Sequence, residues 1–163
     1  MATIQFKEGD EYLLKISKLE SLAREQVIGG AIYGAAEIVA DEIRAELNKV
    51  PTDEKWGESD NLAAGPRKVQ KIGLEQSLGI AKMRDDGSGY ITVKIGFDGY
   101  NKVATKRWPQ GQPNQMVARS VERGTSYMES TPFVKRAVRR SRKRAIEYMR
   151  DAVDAETEKI MKG

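Results

Sequence analysis

The stretch ERGTSYMESTPF, residues 122–133, separates two segments of different predicted structure. The residues that lead into it, MVARSVE (116–122), share its first residue and predict a short strand. The residues after it, from 134 onward, place apolar side chains at helical spacing among many basic ones. Gly124 can adopt the unusual backbone conformation that ends a strand. The stretch therefore predicts a strand exit followed by a helix.

The end of the same stretch has the residue types of a helix start. Ser130 or Thr131 is a suitable N-cap, and Pro132 then falls in the first helical turn, where its missing N–H costs little. Phe133 begins an apolar row that continues through most of the remaining chain. We therefore expect one long C-terminal helix.

Upstream of this stretch, the pattern indicates strands and one further long helix. ATIQF (2–6) predicts a short strand, and residues 21–49 keep apolar side chains at helical spacing until Pro51 stops them. Gly30 and Gly34, four residues apart in that helix, favour either close packing of another element or a hinge. YITVKIGF (90–97) alternates apolar and polar side chains, as a half-buried strand does.

The connecting segments complete the predicted order. Residues 71–83 predict a short helix leading into a strand, and DDGSG (85–89) predicts the turn of a hairpin with residues 90–97. Residues 51–70 and 105–115 are polar and predict long loops. The predicted fold class is α+β: one domain, residues 1–163, with a long N-terminal helix, a small antiparallel β-sheet and a long C-terminal helix.

The composition argues against a catalytic role for this chain. The sequence contains no Cys and no His, which removes thiolate chemistry, the commonest general base and imidazole metal ligands. The carboxylates nearest the predicted sheet are Asp85, Asp86, Asp98 and Glu122, which a metal-dependent nuclease could use. Asp85 and Asp86 are better explained as turn residues, and Glu122 as an acceptor for N–H groups of the Gly-Thr turn. We expect no enzyme activity, no cofactor and no metal.

The chain also has few features of a membrane or secreted protein. Its most apolar stretch, residues 27–40, is interrupted by Glu37 and is shorter than the roughly 20 residues that span a bilayer. The first residues lack the apolar core of a signal peptide. We expect a cytoplasmic product without membrane contact.

The C-terminal helix begins with a dense basic run. Seven of the ten residues from Lys135 to Arg144 are Lys or Arg, and acidic residues follow later, an order that opposes the helix dipole. Three interpretations stay open: a solvated face balanced by the acidic first helix, an acidic surface on a partner, or DNA phosphates. The residues expected to face DNA or a partner are Arg136, Arg139, Arg140, Lys143 and Arg144.

Aromatic residues in the predicted loops are a second set of candidates. Trp56, Tyr100, Trp108 and Tyr127 lie in loops or at their edges, where aromatic side chains often anchor protein interfaces. The alternative is that each one folds back over the core as a small satellite cluster.

The stretch VARSVERGTSYMESTPFVKRA (117–137) resembles the signature of the minor tail-component proteins of tailed bacteriophages, the tail-completion or head–tail joining family. That signature has Tyr-Ala, then Glu, an aromatic and Gly-Thr, then a short loop and Pro-Phe. Val117 stands here where Tyr is usual, and Arg123 where the aromatic is usual. GLEQSL (73–78) and the first helix resemble the family more loosely. The matching residues are Ala118, Glu122, Gly124, Thr125, Pro132 and Phe133.

The resemblance implies a non-enzymatic virion protein at the head–tail junction, assembled in the cytoplasm of the host bacterium. In that family context, Glu122, Gly124, Thr125, Pro132 and Phe133 would fix the last helix against the sheet. The implied partners are further copies of the chain in a ring, hexameric like a tail tube or dodecameric like a portal, together with a head-closure (stopper) protein and a tail terminator or tube protein. Non-specific contact with DNA in the channel is also implied. The alternative from another class is a small non-specific DNA-binding protein.

Overall fold

The computed structural model describes residues 2–7, 21–55, 62–85 and 90–162. Within those ranges the chain forms four helices and a small antiparallel sheet of four strands, which confirms the predicted α+β class with long helices near both ends. In chain order the elements are β1 (Ala2–Lys7), α1 (Ser21–Asn48), α2 (Lys68–Ser77), β2 (Leu78–Ile80), β3 (Arg84–Asp85), β4 (Tyr90–Phe97), α3 (Asn114–Arg123) and α4 (Phe133–Lys162).

Strand β4 is the centre of the sheet. The strand order is β1-β4-β2, and the short β3 also pairs with β4. β1 runs antiparallel to β4, with Ala2 opposite Ile95 and Lys7 opposite Tyr90. The apolar alternate residues of β4, from Ile91 to Phe97, are all buried, as their period of two predicts. A register shift of one residue would expose that whole set, so burial fixes the pairing.

Contacts among the described residues group them into two compact units built from separate segments. The first unit comprises Ala40–Gly79 and Gly96–Arg140, and the second comprises Ala2–Val39, Ile80–Ile95 and Ser141–Gly163. Helices α1 and α4 each contribute to both units. The single domain expected from the sequence stays a prediction.

Each unit has its own buried apolar side chains. In the first unit, the ring of Phe133 packs edge-to-face on the ring of Phe97, with 5.9 Å between centroids. Rings in this geometry add roughly 0.5–1.5 kcal/mol to the stabilisation from burial. The largest fully buried apolar side chains of the first unit are Ile43, Leu47, Val50, Leu74, Met128 and Phe133, and those of the second are Val27, Ile28, Ile32 and Ile95.

The segment 116–122 is helical, so its prediction as a strand is wrong. It lies within α3, whose buried residues Asn114, Val117, Ala118 and Val121 follow the i, i+3, i+4, i+7 pattern of one helix face. That pattern becomes visible only when Asn114 is counted with the segment. Pro113 stands at the N-cap, where a missing N–H costs nothing.

The loops and turns follow the predictions in part. Helix α2 begins at Lys68, inside the predicted loop 51–70, and leads directly into β2 as expected. Asp53 holds the described part of that loop, because its carboxylate accepts the backbone N–H groups of Lys55 at 2.9 Å and Ala64 at 3.0 Å. These two bonds lower the pKa of Asp53. Trp56 and most of the predicted DDGSG turn, residues 86–89, lie outside the described residues.

The two glycines of α1 have different surroundings in the second unit. A Cβ added at Gly34 would overlap the ring of Tyr148, whereas a Cβ at the exposed Gly30 would meet nothing within 4 Å. Close packing therefore explains Gly34, and Gly30 has no such neighbour.

We expect Gly30→Ala to raise the free energy of unfolding by up to about 1 kcal/mol, because alanine is the better helix former. Gly34→Ala should lack this gain, because its methyl group must displace the Tyr148 ring. Urea unfolding of the two variants measures the difference. A Gly34→Ala protein as stable as Gly30→Ala would contradict the packing explanation. In a Tyr148→Ala background, where the ring is gone, Gly34→Ala should raise stability relative to Tyr148→Ala alone.

Candidate functional site

The segment between α3 and α4 is the region that carries the family resemblance, and Gly124 ends the helix before it. Gly124 has φ of 74° and donates its N–H to the carbonyl of Ser120 at 2.8 Å, which is helix C-capping geometry rather than a strand exit. Thr125 donates its N–H to the carbonyl of Met128 at 2.9 Å and so closes a tight turn. Any side chain at Gly124 would be strained, since the positive φ favours glycine.

The carboxylate of Glu122 caps the N-terminus of α4. One oxygen accepts the backbone N–H of Val134 at 2.9 Å, and the other accepts the N–H of Lys135 at 3.0 Å. The first N–H groups of a helix lack partners within the helix, and the helix dipole favours negative charge there. Glu122 satisfies both requirements from a different helix, twelve residues upstream.

This cap differs from the one expected from the sequence. Neither Ser130 nor Thr131 caps α4 with its side chain; the hydroxyl of Ser130 donates instead to the backbone carbonyl of Glu122 at 2.8 Å. Pro132 directly precedes the first helical residue, and its carbonyl accepts the N–H of Arg136 at 3.1 Å. The N–H groups of Gly124 and Thr125 bond elsewhere, so Glu122 serves the helix rather than the Gly-Thr turn.

Phe133 attaches this junction to the sheet. Its ring is fully buried against Phe97 at the end of β4, and the neighbouring Thr131 donates its N–H to the carbonyl of Val121 on α3 at 2.8 Å. The residues of the signature thus join α3, the loop and α4 through hydrogen bonds and one aromatic contact.

A cleft of about 180 Å³ lies along α3, within the first unit. We call it the α3 cleft. Arg119 and Arg123 stand one helical turn apart along it, and both side chains are exposed. In the described part of the chain, neither guanidinium has an ion-pair or hydrogen-bond partner. The residues that line the cleft are Phe97, Gln115, Ala118, Arg119, Glu122, Arg123 and Val134.

The basic run at the start of α4 is exposed at all seven cations. The guanidinium of Arg140 pairs with Glu46 of α1 at 2.7 Å, and Lys143 lies 4.0 Å from Glu147. Arg144 also has a partner. By contrast, no described carboxylate pairs with Arg139 or with the exposed Arg142. Charge neutralisation by the acidic first helix therefore explains Arg140, but it does not explain Arg139 and Arg142.

The carboxylate of Glu46 is buried, which makes its pairing structurally important. It accepts a hydrogen bond from Lys49 Nζ at 2.9 Å and pairs with Arg140. The hydrogen bond from Lys49 is the largest cause that lowers the pKa of Glu46, and the positive charges of Arg140, Lys49 and Arg136 lower it further, against the opposing effect of burial.

The predicted interface aromatics differ in their exposure. Tyr100 is 66% exposed and Tyr127 38% exposed, whereas Trp108 is half-buried in a turn in which it exchanges backbone hydrogen bonds with Thr105. The guanidinium of Arg107 lies 5.6 Å from the centre of the Trp108 indole, a cation–π contact. Tyr100 is therefore the most accessible of the three described residues.

A buried amide network orders the loop before α3, and sequence reasoning missed it. Gln112 Oε1 accepts hydrogen bonds from Gln70 of α2 at 2.7 Å and from Asn101 at 3.3 Å, while Asn114 donates to the carbonyl of Asp98 at 2.9 Å. Buried amides are retained when they are hydrogen-bonded, so this network fixes α2 to the loop. The only sequence signal is the polar run QPNQ, which resembles an ordinary loop.

Arg119 and Arg123 were also missed as a pair, although their spacing of four on a helix is the signal that would have found them. In the sequence, Arg123 is conspicuous only as the residue that stands where the resembling signature has an aromatic one. No described group of three or more acidic, His or Cys residues is placed to hold a metal ion. Among the described helices, none has both the length and the apolar composition needed to cross a membrane.

The chain matches no protein-family model, no curated protein and no solved structure.

We expect Glu122→Ala to lower the free energy of unfolding by about 1 kcal/mol, the usual cost of losing a helix cap. Urea unfolding followed by circular dichroism measures this loss. Glu129→Ala is the matched control, because Glu129 is exposed and its side chain makes no described hydrogen bond. Equal stability of the two variants would show that the cap contributes nothing.

The ion pairs of Glu46 should make stability depend on pH. A pKa lowered by folding gives stability that is present above the ordinary value of 4.5 and is lost as the pH falls through the folded value. Glu46→Gln should therefore lower Tm at pH 7, and the difference from the unchanged protein should shrink below pH 4.5. Thermal scans against pH test this, with the exposed Glu37→Gln as control. A difference that stays constant through this pH range would contradict the assignment.

Proposed function

We propose that this chain is a structural virion protein of a tailed bacteriophage, a tail-completion or neck component that joins tail to head. One observation carries the proposal. The residues of the family signature, separated by a loop in the sequence, act together at a single junction between α3 and α4. In it Gly124 ends α3, Glu122 caps α4 and Phe133 packs on Phe97 of β4. Residues that resemble a motif and also act together in the structure support the proposal more strongly than sequence similarity alone.

In this proposal the chain acts by assembling with other proteins through complementary surfaces, and not by catalysing a reaction. The chain has no His or Cys, and both oxygens of Glu122, the carboxylate beside the α3 cleft, are bonded to backbone N–H groups. The accessible features are instead exposed aromatics such as Tyr100 and exposed cations on α3 and α4. Such side chains commonly anchor protein interfaces.

The partners in this proposal are further copies of the chain and neighbouring virion proteins. A ring requires a heterologous contact, in which two different patches of the subunit meet. A hexameric ring would match a tail tube, with a head-closure protein on one side and a tail terminator or tube protein on the other. The exposed basic residues of α4 would then lie available to the neighbouring virion proteins or to DNA passing through the channel.

A small non-specific DNA-binding protein is the second candidate. Arg139 and Arg142 favour it, because both are exposed and neither has a described carboxylate partner. Lysine and arginine that contact phosphates release counterions, so such binding falls steeply with salt.

Localisation in phage particles tests the first proposal. Particles from an induced lysogen that carries the gene are purified, labelled with gold-conjugated antibody against the chain and viewed by electron microscopy. We expect label at the head–tail junction, and the same lysogen with the gene deleted should yield filled heads and unattached tails without label. Label missing from heads, tails and junctions of the unmodified particles would overturn the proposal, and salt-sensitive DNA binding by the purified protein would then support the second candidate.

A further inference from the structure

The α3 cleft has the chemistry of a carboxylate-binding site, and no described carboxylate pairs with either of its arginines. Arg119 and Arg123 are four residues apart on one helix, so their positions are displaced by about 6 Å along its axis. Both are exposed, and the only acid lining the cleft, Glu122, is already bonded to Val134 and Lys135. Arginine binds carboxylates through two parallel hydrogen bonds, which gives strong and directional pairing.

The last part of α4, in the second unit, carries a matching row of acids. Glu147, Asp151, Asp154 and Glu158 are spaced i, i+4, i+7 and i+11 and therefore share one helix face. Asp151 and Asp154 pair with no described cation, while the pairs Lys143–Glu147 and Lys162–Glu158 are long, at 4.0 and 3.7 Å. We call these four residues the acidic row.

We propose that the α3 cleft of one copy of this chain binds the acidic row of a second copy. Glu147 and Asp151 are also four residues apart, so the two acids have the same axial spacing along α4, about 6 Å, as the two arginines along α3. Each carboxylate of one copy then meets one guanidinium of the other. The inference rests on the proposed ring, and it names the two different patches that a heterologous contact needs.

The lining of the α3 cleft favours a second copy over a nucleic acid. The cleft has an apolar side formed by Phe97, Ala118 and Val134, and the Glu122 carboxylate stands beside the arginines. Glu122 would repel either anion, so the apolar side makes the difference: a phosphate backbone would gain nothing from it, whereas a helix that presents acids beside aliphatic side-chain atoms could cover it. The test must therefore distinguish binding of a second copy from binding of DNA phosphates.

Charge reversal at both patches tests the proposal in the full-length protein. The variants are R119E/R123E, E147R/D151R and the four substitutions combined, studied by sedimentation velocity over a range of concentrations and salt. The unmodified protein should self-associate, and each double variant should have a dissociation constant roughly tenfold higher or more, since like charges now face each other. The combined variant should recover association, because the reversed charges are again complementary. Association should weaken with added salt.

The matched control is R139E/R142E, which changes the net charge as much as R119E/R123E does but lies outside the α3 cleft. It should associate like the unmodified protein. Circular dichroism checks folding, and none of the four arginines has a described bond whose loss would unfold the chain. Recovery in the combined variant is the outcome that a merely structural role could not produce.

Three results would overturn the inference: an unmodified protein that stays monomeric at every concentration, double variants that associate normally, or a combined variant that fails to recover. If R119E/R123E keeps self-association but loses retention on double-stranded DNA, the cleft binds phosphates and the inference also fails. Failure here is separate from failure of the proposed function. If the antibody labels the head–tail junction but the double variants associate normally, only the inference about the cleft fails. If the combined variant recovers association but no label appears at the junction, only the assignment to a phage particle fails.

Discussion

The carboxylate of Glu122 at the N-terminus of α4 is the interaction on which the first unit depends. A helix that begins with Phe133 and continues through seven cations in ten residues has no acid in its first turn, so its own sequence opposes its dipole. α3 supplies the missing negative charge from outside, and the same carboxylate satisfies two N–H groups that would otherwise lack partners. The direction of α3 and the start of α4 are thereby set together.

The other parts of the junction follow from this contact. For Glu122 to reach Val134, the chain must reverse within a short loop, which Gly124 allows through its positive φ. The reversal brings Thr131 close enough to bond to the carbonyl of Val121 and places Phe133 against Phe97. Glu46 has a comparable role farther along α4, because it offsets the charge of Arg140 from a buried position on α1. The basic run is thus tolerated where acids from other helices meet it.

Patterns within single segments of the sequence predicted much of this fold. They did not predict the contacts between residues that lie far apart in the sequence. The alternation in β4 and the spacing in α1 each lie within one element, so the sequence alone predicted their positions. The prediction of a strand at residues 116–122 was wrong because valine occurs in strands and in helices. The helical pattern of buried residues becomes visible only when Asn114 is included. The Glu122 cap, the bond between Gln70 and Gln112 and the α3 cleft all join residues from different segments. No periodicity within one segment encodes such contacts.

Arg123 stands inside the segment that resembles the signature, yet it has no part in the bonds that hold the junction together. Glu122, Gly124 and Phe133 have roles that other residue types could not fill, because they need a carboxylate, a positive φ and a buried ring. The position between Glu122 and Gly124 has no such constraint, since the Arg123 side chain is exposed at the cleft. An aromatic residue at this position would enlarge the apolar side of the cleft, whereas arginine adds a second guanidinium one turn from Arg119. If the α3 cleft binds a partner as proposed, a change at that site would alter its specificity and leave the helix junction intact, because the Arg123 side chain makes no described bond within the junction.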